Sequence, residues 1–153
     1  TTDVLLLRGV QPDMQFCRSL EMGAIPMCNS IIGRVSALHD IKIDDDHIFD
    51  VIQGRPTILP GDVQDTIRST VKNYAAGILD KLRELQVDLR ATPAIFIGGG
   101  AALFRPFIEE SPQVVKADFI SDPKANAIGF GMLATAQLRQ QQAPKVGDGF
   151  AQG

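Results

Sequence analysis

The segment Ile95-Phe96-Ile97-Gly98-Gly99-Gly100-Ala101 decides the fold that the sequence predicts. Three apolar residues that run directly into three glycines indicate a short buried strand followed by a tight turn. Glycine permits positive φ angles and a close approach of the backbone to a ligand. In α/β proteins, ligands bind at the carboxyl ends of strands, which is where this turn is predicted to lie. A plain tight turn is the alternative, because the segment matches neither GxGxxG nor GxxxxGK[ST].

The rest of the chain predicts strands and helices on both sides of this turn. Apolar residues recur at three- and four-residue steps in the helical segments, and an apolar run followed by Gly9 and Pro12 predicts an opening hairpin. In chain order the predicted elements are a hairpin over 2–20, helices over 25–38, 47–53 and 62–85, a strand over 93–97, a helix over 104–110, a strand over 114–120 and a helix over 124–138. This order predicts an α/β fold in which helices flank a mixed sheet.

Two features predict a sheet that is covered on both faces. The run Val4-Leu5-Leu6-Leu7 is apolar without alternation, which is typical of a strand buried on both sides. Gly129 and Gly131 lie inside the final predicted helix, where each glycine costs about 1 kcal/mol relative to alanine. We expect close packing of this helix, against the sheet or the glycine turn, to offset that cost.

The composition is that of an ordinary globular chain of 153 residues, a length that favours one domain. Hydrophobic residues make up 44% and charged residues 22%, which argues against intrinsic disorder. The formal net charge of -3 argues against direct binding of nucleic acid, because nucleic-acid-binding surfaces are basic. No apolar run approaches the roughly 20 residues that a membrane span needs. We therefore expect no membrane contact.

The remaining polar clusters favour structural roles over catalysis or metal binding. The run Asp44-Asp45-Asp46 lacks the glycine and the distal glutamate of a calcium loop, so we expect a helix cap. His39 and His47 have no serine or cysteine partner in a motif, and no catalytic triad is predicted. Cys17 and Cys28 lack zinc-site spacing and are expected to be buried free thiols.

Several motifs occur in an order and spacing that is more specific than any one of them. They are Thr1-Thr2-Asp3-Val4, Cys17-Arg18-Ser19-Leu20-Glu21 leading to Gly23, Leu82-Arg83-Glu84-Leu85 with Asp88-Leu89-Arg90, Ile95 to Ala101, and Ala125-Asn126-Ala127-Ile128-Gly129-Phe130. Together they resemble the C-terminal half of actin-like ATPases, and closely the plasmid-segregation ParM/StbA family. The resemblance implies a ribonuclease-H-like α/β fold over 1–138, with a small insertion at about 40–60. The glutamine runs and the low apolar content of the last residues predict a flexible tail over 139–153.

The resemblance also implies a nucleotide site. Thr1 and Thr2 would end the second phosphate loop, and Gly23 would line the nucleotide cleft. The residues implied to support adenosine are Gly98, Gly99, Gly100 and Ala101. His47 and Asp50 fall where related proteins contact the base or ribose, although their types depart from the usual Glu and Lys. The implied cofactors are ATP and Mg²⁺, and no catalytic or metal-binding residue is expected in this chain.

The same resemblance implies partners and a role. The Asp-x-Gly-Gly that precedes the threonine pair in the family is not in this sequence, and neither is the first half of the fold. We therefore expect a fragment with weak or absent ATPase activity, because hydrolysis needs both walls of the cleft. The intact protein is expected to be a cytoplasmic ATPase that self-associates into filaments and moves plasmid DNA through an adaptor protein. The alternatives are a sugar or acetate kinase, a hydantoinase/oxoprolinase-type ATPase, or a metabolite-binding module.

Overall fold

The computed structural model describes residues 2–9, 11–122 and 124. Their elements are β1 (Thr2–Arg8), β2 (Gln11–Leu20), α1 (Ala24–His39), α2 (Asp45–Ile52), α3 (Gly61–Glu84), β3 (Ala94–Ile97), α4 (Gly99–Glu109) and β4 (Ala117–Ile120). Strands and helices alternate along the second half of the chain, which confirms the predicted α/β class. The predicted helix over 124–138 and the predicted tail over 139–153 lie almost wholly outside the described residues.

The strands form two separate pairs among the described residues. β1 and β2 pair antiparallel as the predicted hairpin, with an irregular register between Leu5 and Leu7. β3 and β4 pair parallel, and the rings of Phe96 and Phe119 stack across them with centroids 5.2 Å apart. The single mixed sheet that the sequence predicts is thus divided in this part of the chain, because no strand pairing joins the hairpin to the parallel pair.

The main core lies among the four helices. α3 contributes a buried stripe at helical spacing, as the sequence predicts, and α1 packs against it with a second stripe. The fully buried side chains of this core are those of Met27, Ile31, Val35, Ile48, Val51, Val63, Ile67, Val71 and Ile108. A second cluster, formed by Leu79, Leu82 and Leu89, lies at the C-terminal end of α3 and just beyond it. Both strand pairs rest on this second cluster, so α3 supports the hairpin and the parallel pair alike.

Four details differ from the sequence predictions. α4 begins at Gly99 rather than near residue 104, because only Gly98 of the three glycines leaves the helical region of φ/ψ. β4 begins at residue 117 rather than 114, after a turn at Ser111. Cys17 is exposed, whereas Cys28 is buried as expected, and both are free thiols. The outer residues of β1, Leu5 and Leu7, are exposed, so the described residues cover the hairpin on one face alone.

Candidate functional site

The glycine turn after β3 is fixed at its first residue. Gly98 has φ 106° and ψ 178°, a conformation that only glycine adopts without strain. Its N–H donates a hydrogen bond to the Ile120 carbonyl at 2.8 Å, and its carbonyl accepts from the Ala101 N–H at 3.0 Å. The turn is therefore held to the end of β4, at the carboxyl edge of the parallel strands, as the sequence predicts.

The next two glycines open α4 and are not required by packing. A Cβ atom at Gly99 would meet nothing within 4 Å, and one at Gly100 would lie 3.8 Å from the Phe104 ring. The helix has neither a side-chain cap nor an acidic residue in its first turn. Its first N–H groups therefore have no capping partner from a side chain, and they carry the partial positive charge of a helix N-terminus.

A second helix begins in the same way near the start of β1. Thr2 donates its hydroxyl hydrogen to the Met22 carbonyl at 2.5 Å, which ties the first strand to the residue before Gly23. Gly23 is buried and has extended backbone angles, and α1 follows it with no side-chain cap and no acid in its first turn. Thr2 and Gly23, which the sequence predicts to share a site, are thus brought together. Thr1 lies outside the described residues.

Tyr74 of α3 connects this region to α4. Its hydroxyl oxygen accepts a hydrogen bond from the Gly23 N–H at 3.2 Å. Its ring stacks on Phe104 of α4, with centroids 6.0 Å apart and an interplanar angle of 10°. By its spacing in the sequence, Tyr74 belongs to the apolar stripe of α3. Its hydroxyl is the signal that indicates a polar partner, because a phenol on a core face needs one.

His47 and Asp50 line a separate open groove with Pro56, Thr57 and Ile58, of about 350 Å³. Arg55 holds Asp50, with Nε 2.6 Å from Oδ1. No hydrogen bond among the described residues joins this groove to the glycine turn.

The Asp44 run forms a helix cap, as predicted. The Asp44 carboxylate accepts the His47 backbone N–H at 3.1 Å, and its Oδ1 lies 2.5 Å from His47 Nδ1. The backbone N–H of His47, followed by its ring, lowers the pKa of Asp44. Nδ1 of His47 is thus engaged in the cap, and Nε2 is the ring nitrogen that the cap does not use.

Four other titratable side chains, those of His39, Asp88, Arg90 and Cys28, have structural roles. His39 joins α1 to α3, with Nε2 2.8 Å from the Thr66 hydroxyl oxygen. The guanidinium of Arg90 donates to Asp88 and lowers the pKa of that carboxyl to about 2. Burial raises the pKa of the Cys28 thiol to about 11, so it stays protonated near neutrality. Within the described ranges, no three acidic, histidine or cysteine side chains come together to hold a metal ion.

A comparison with known protein families shows which family the chain belongs to. A family model described as archaeal actin homologue MreB-like, C-terminal, matches residues 1–110, well over half of the chain. The chain belongs to this family. No curated protein and no solved structure gave a match.

Membership of this actin-homologue family confirms the actin-like part of the resemblance. The matched residues include every residue that the sequence analysis assigned to the nucleotide site, from Thr1 to Ala101. None of the described helices is both long enough and apolar enough to cross a membrane. The ParM/StbA plasmid type is a finer assignment, and it belongs to the proposal that follows.

Proposed function

We propose that this actin homologue is the nucleotide-binding C-terminal half of an ATP-dependent, filament-forming protein. The observation that carries the proposal is the pair of helix starts at Gly23 and Gly98, each without a side-chain cap and connected through Tyr74 and Phe104. Helix N-termini with free N–H groups are sites at which phosphate and other anions bind. Thr2 adds a hydroxyl beside one of them.

The glycine turn supports the adenosine part of the proposal. Gly99 has a backbone conformation that residues other than glycine also adopt, and there is space around its Cα. Packing within the described part of the chain therefore does not explain why a glycine is there. Close approach of a ligand does explain it. In this proposal the exposed Gly99 and the half-buried Gly100 contact the ribose or base, and Gly98 and Ala101, which are buried, hold the turn in shape. Thr1, Thr2 and Gly23 lie towards the phosphates.

His47 and Asp50 are proposed as outer contacts of the same nucleotide. They line an open groove, and Asp50 is already paired with Arg55, so a ribose hydroxyl would share that carboxylate with the guanidinium. Mg²⁺ is proposed to enter with the nucleotide, since the described residues offer no cluster of ligands for it. Phosphate oxygens and water are the ligands that Mg²⁺ ordinarily takes in such sites.

The proposed role of the filaments is to move plasmid DNA through an adaptor protein. The order of the sequence motifs, which resembles that of the ParM/StbA family, supports plasmid DNA as the cargo of the filaments. The net charge of -3 supports an adaptor, because a chain that bound the DNA backbone directly would be expected to be basic.

A matched pair of glycine substitutions tests the nucleotide site. Gly99→Ala places a methyl group at the proposed contact, whereas Gly33→Ala places one in open space on α1, away from the site. With a fluorescent ATP analogue and Mg²⁺, we expect Gly99→Ala to raise the Kd about tenfold, equivalent to ~1.4 kcal/mol. Gly33→Ala should leave the Kd unchanged. Equal affinities for both variants and the original chain would remove the glycine turn from the site.

High-speed sedimentation tests filament formation. The chain preceded by the N-terminal half of its protein is centrifuged with and without ATP and Mg²⁺. We expect a pellet that needs ATP and that redissolves as ATP is consumed. A protein that hydrolyses ATP and never sediments would instead favour an enzyme of the same superfamily, of the sugar kinase, acetate kinase or hydantoinase/oxoprolinase type, and a search for a phosphorylated product would follow.

A further inference from the structure

Tyr74 of α3 contacts both ends of the proposed nucleotide site with different parts of its side chain. At one end, its hydroxyl oxygen accepts a hydrogen bond from the Gly23 N–H at 3.2 Å. At the other end, its ring stacks on the Phe104 ring, with centroids 6.0 Å apart. Tyr74 is half-buried, whereas Gly23 and Phe104 are buried. One side chain therefore joins two segments that are far apart in the sequence.

The hydroxyl of Tyr74 fixes the backbone from which α1 begins. The Gly23 carbonyl accepts the Met27 N–H at 3.1 Å, so the orientation of Gly23 sets the direction of the first turn of α1. Gly77 follows Tyr74 by three residues, on the same face of α3, and a Cβ atom there would lie only 3.3 Å from the terminal methyl carbon of Met22. A hydrogen bond and a close apolar contact thus hold Met22 and Gly23 on α3.

The ring of Tyr74 reaches the glycine turn through Phe104. A Cβ atom at Gly100 would lie 3.8 Å from the Phe104 ring, so this ring lies beside the backbone of the turn. Gly99 is exposed and Gly100 is half-buried, whereas Phe104 is only 5% exposed. The accessible surface of the turn therefore rests on Phe104, and the Tyr74 ring packs against Phe104 at an interplanar angle of 10°.

We propose that Tyr74 is a positioning residue for the nucleotide, with its hydroxyl and its ring acting at opposite ends. This inference rests on the proposed function, in which the phosphates lie towards Gly23 and the ribose or base contacts Gly99 and Gly100. The hydroxyl holds the phosphate end in place through Gly23, and the ring holds the adenosine end in place through Phe104. Both ends are therefore held in position before a nucleotide binds, which lowers the cost of ordering the site.

Two variants of Tyr74 and three ligands separate the two contacts. Dissociation constants are measured by amide NMR titration of the chain with adenosine, with inorganic triphosphate and Mg²⁺, and with ATP and Mg²⁺. Tyr74→Phe keeps the ring but leaves the Gly23 N–H without its acceptor. We therefore expect the Kd of triphosphate and of ATP to rise about tenfold and that of adenosine to stay unchanged. Tyr74→Leu also removes the stacking, so the Kd of adenosine should rise about tenfold as well.

Ile67→Val is the matched control for a general loss of stability. Ile67 is completely buried on the same stripe of α3, about two turns before Tyr74, and it takes part in neither contact. Its truncation loosens the core by one methylene group and should leave all three dissociation constants unchanged. Amide exchange over α3 is measured in every variant, and protection of this helix separates loss of a contact from loss of the fold.

The pattern across the ligands decides between positioning and a merely structural role. Equal rises in the Kd of adenosine and of triphosphate in Tyr74→Phe would overturn the inference, because the side chain would then act as a general core residue. Constants that stay unchanged in both Tyr74 variants would overturn it too, and in that case the proposed function stands. A chain that binds none of the three ligands would instead overturn the proposed function together with this inference.

Discussion

Among the three glycines of the turn, Gly98 is the one whose backbone conformation requires glycine. The three glycines look alike in the sequence, yet they differ in the structure. Gly98 has a positive φ of 106°, whereas Gly99 and Gly100 belong to α4 and have no positive φ. Backbone geometry therefore requires glycine at the first position, whereas packing among the described residues does not require it at the next two.

Alanine substitutions separate these two requirements. Gly98→Ala forces a Cβ into a strained region of φ/ψ and should lower the free energy of unfolding by about 1–3 kcal/mol. At position 99 the backbone is helical and there is space for a Cβ atom, so Gly99→Ala should not lower the free energy of unfolding. Urea unfolding at neutral pH measures both. A Gly98→Ala chain as stable as the original would mean that the turn relaxes freely and is not fixed by the bond to Ile120.

At the scale of elements, α2 owes its start to the Asp44 cap. We expect Asp44→Ala to lower the urea midpoint, because the His47 N–H loses its acceptor. Asp46→Ala, which removes an acid from the same turn and keeps the cap, is the matched control. If both variants lost the same stability, general charge near the helix start would explain the effect and the cap would not.

The Asp44 cap also makes a pH prediction. The pKa of Asp44 is lower in the folded chain than its usual 3.8. The stabilisation is therefore complete above about pH 4 and is lost as the pH falls through the lowered value in the folded state. The stability difference between Asp44→Ala and the original chain should shrink on acidification below pH 4. Unfolding curves measured from pH 2 to pH 6 test this, and a difference that stays constant would contradict it.

Tyr74 joins three helices, and its two contacts are separable. Tyr74→Phe keeps the ring on Phe104 but removes the acceptor of the Gly23 N–H. An unpartnered backbone donor in a part-buried site should cost about 1–2 kcal/mol. Tyr74→Leu removes the stacking as well and should cost more. Chemical denaturation gives both values, and amide exchange at Gly23 should speed up in Tyr74→Phe. An unchanged Gly23 amide would show that water replaces the hydroxyl at no cost.

At the scale of the whole molecule, the buried apolar side chains of the described residues lie in the helices and the loops between them, and none lies on a strand. Ile67 of α3 is completely buried in the helical core, and Ile67→Ala should cost about 2–5 kcal/mol because it leaves a cavity. Ile58→Ala, at an exposed position, should change the unfolding free energy by no more than about 0.5 kcal/mol. Thermal and urea unfolding compare the two. Similar losses from both variants would mean that the helices do not pack as one core.

The sequence by itself determined the α/β class, the hairpin, the long helix and the place of the glycine turn. These follow from local patterns: apolar spacing in α3, glycine after an apolar run, and turn residues between β1 and β2. The motifs and their order along the chain also indicated the actin-like family, which the family match confirms. The start of α4 was missed, because glycine is a poor helix former and three in a row resemble a loop.

The tertiary structure alone decided which of the candidate residues meet. Thr2 and Gly23 are 21 positions apart in the sequence, yet the Met22 carbonyl and the Tyr74 hydroxyl place them in one network with α4. It also decided that Cys17 is exposed and Cys28 buried, and that one face of the strands is uncovered in the described residues. Such outcomes depend on which helix packs on which strand. Packing joins residues that are far apart in the sequence, and the local spacing of apolar residues does not specify which of them meet.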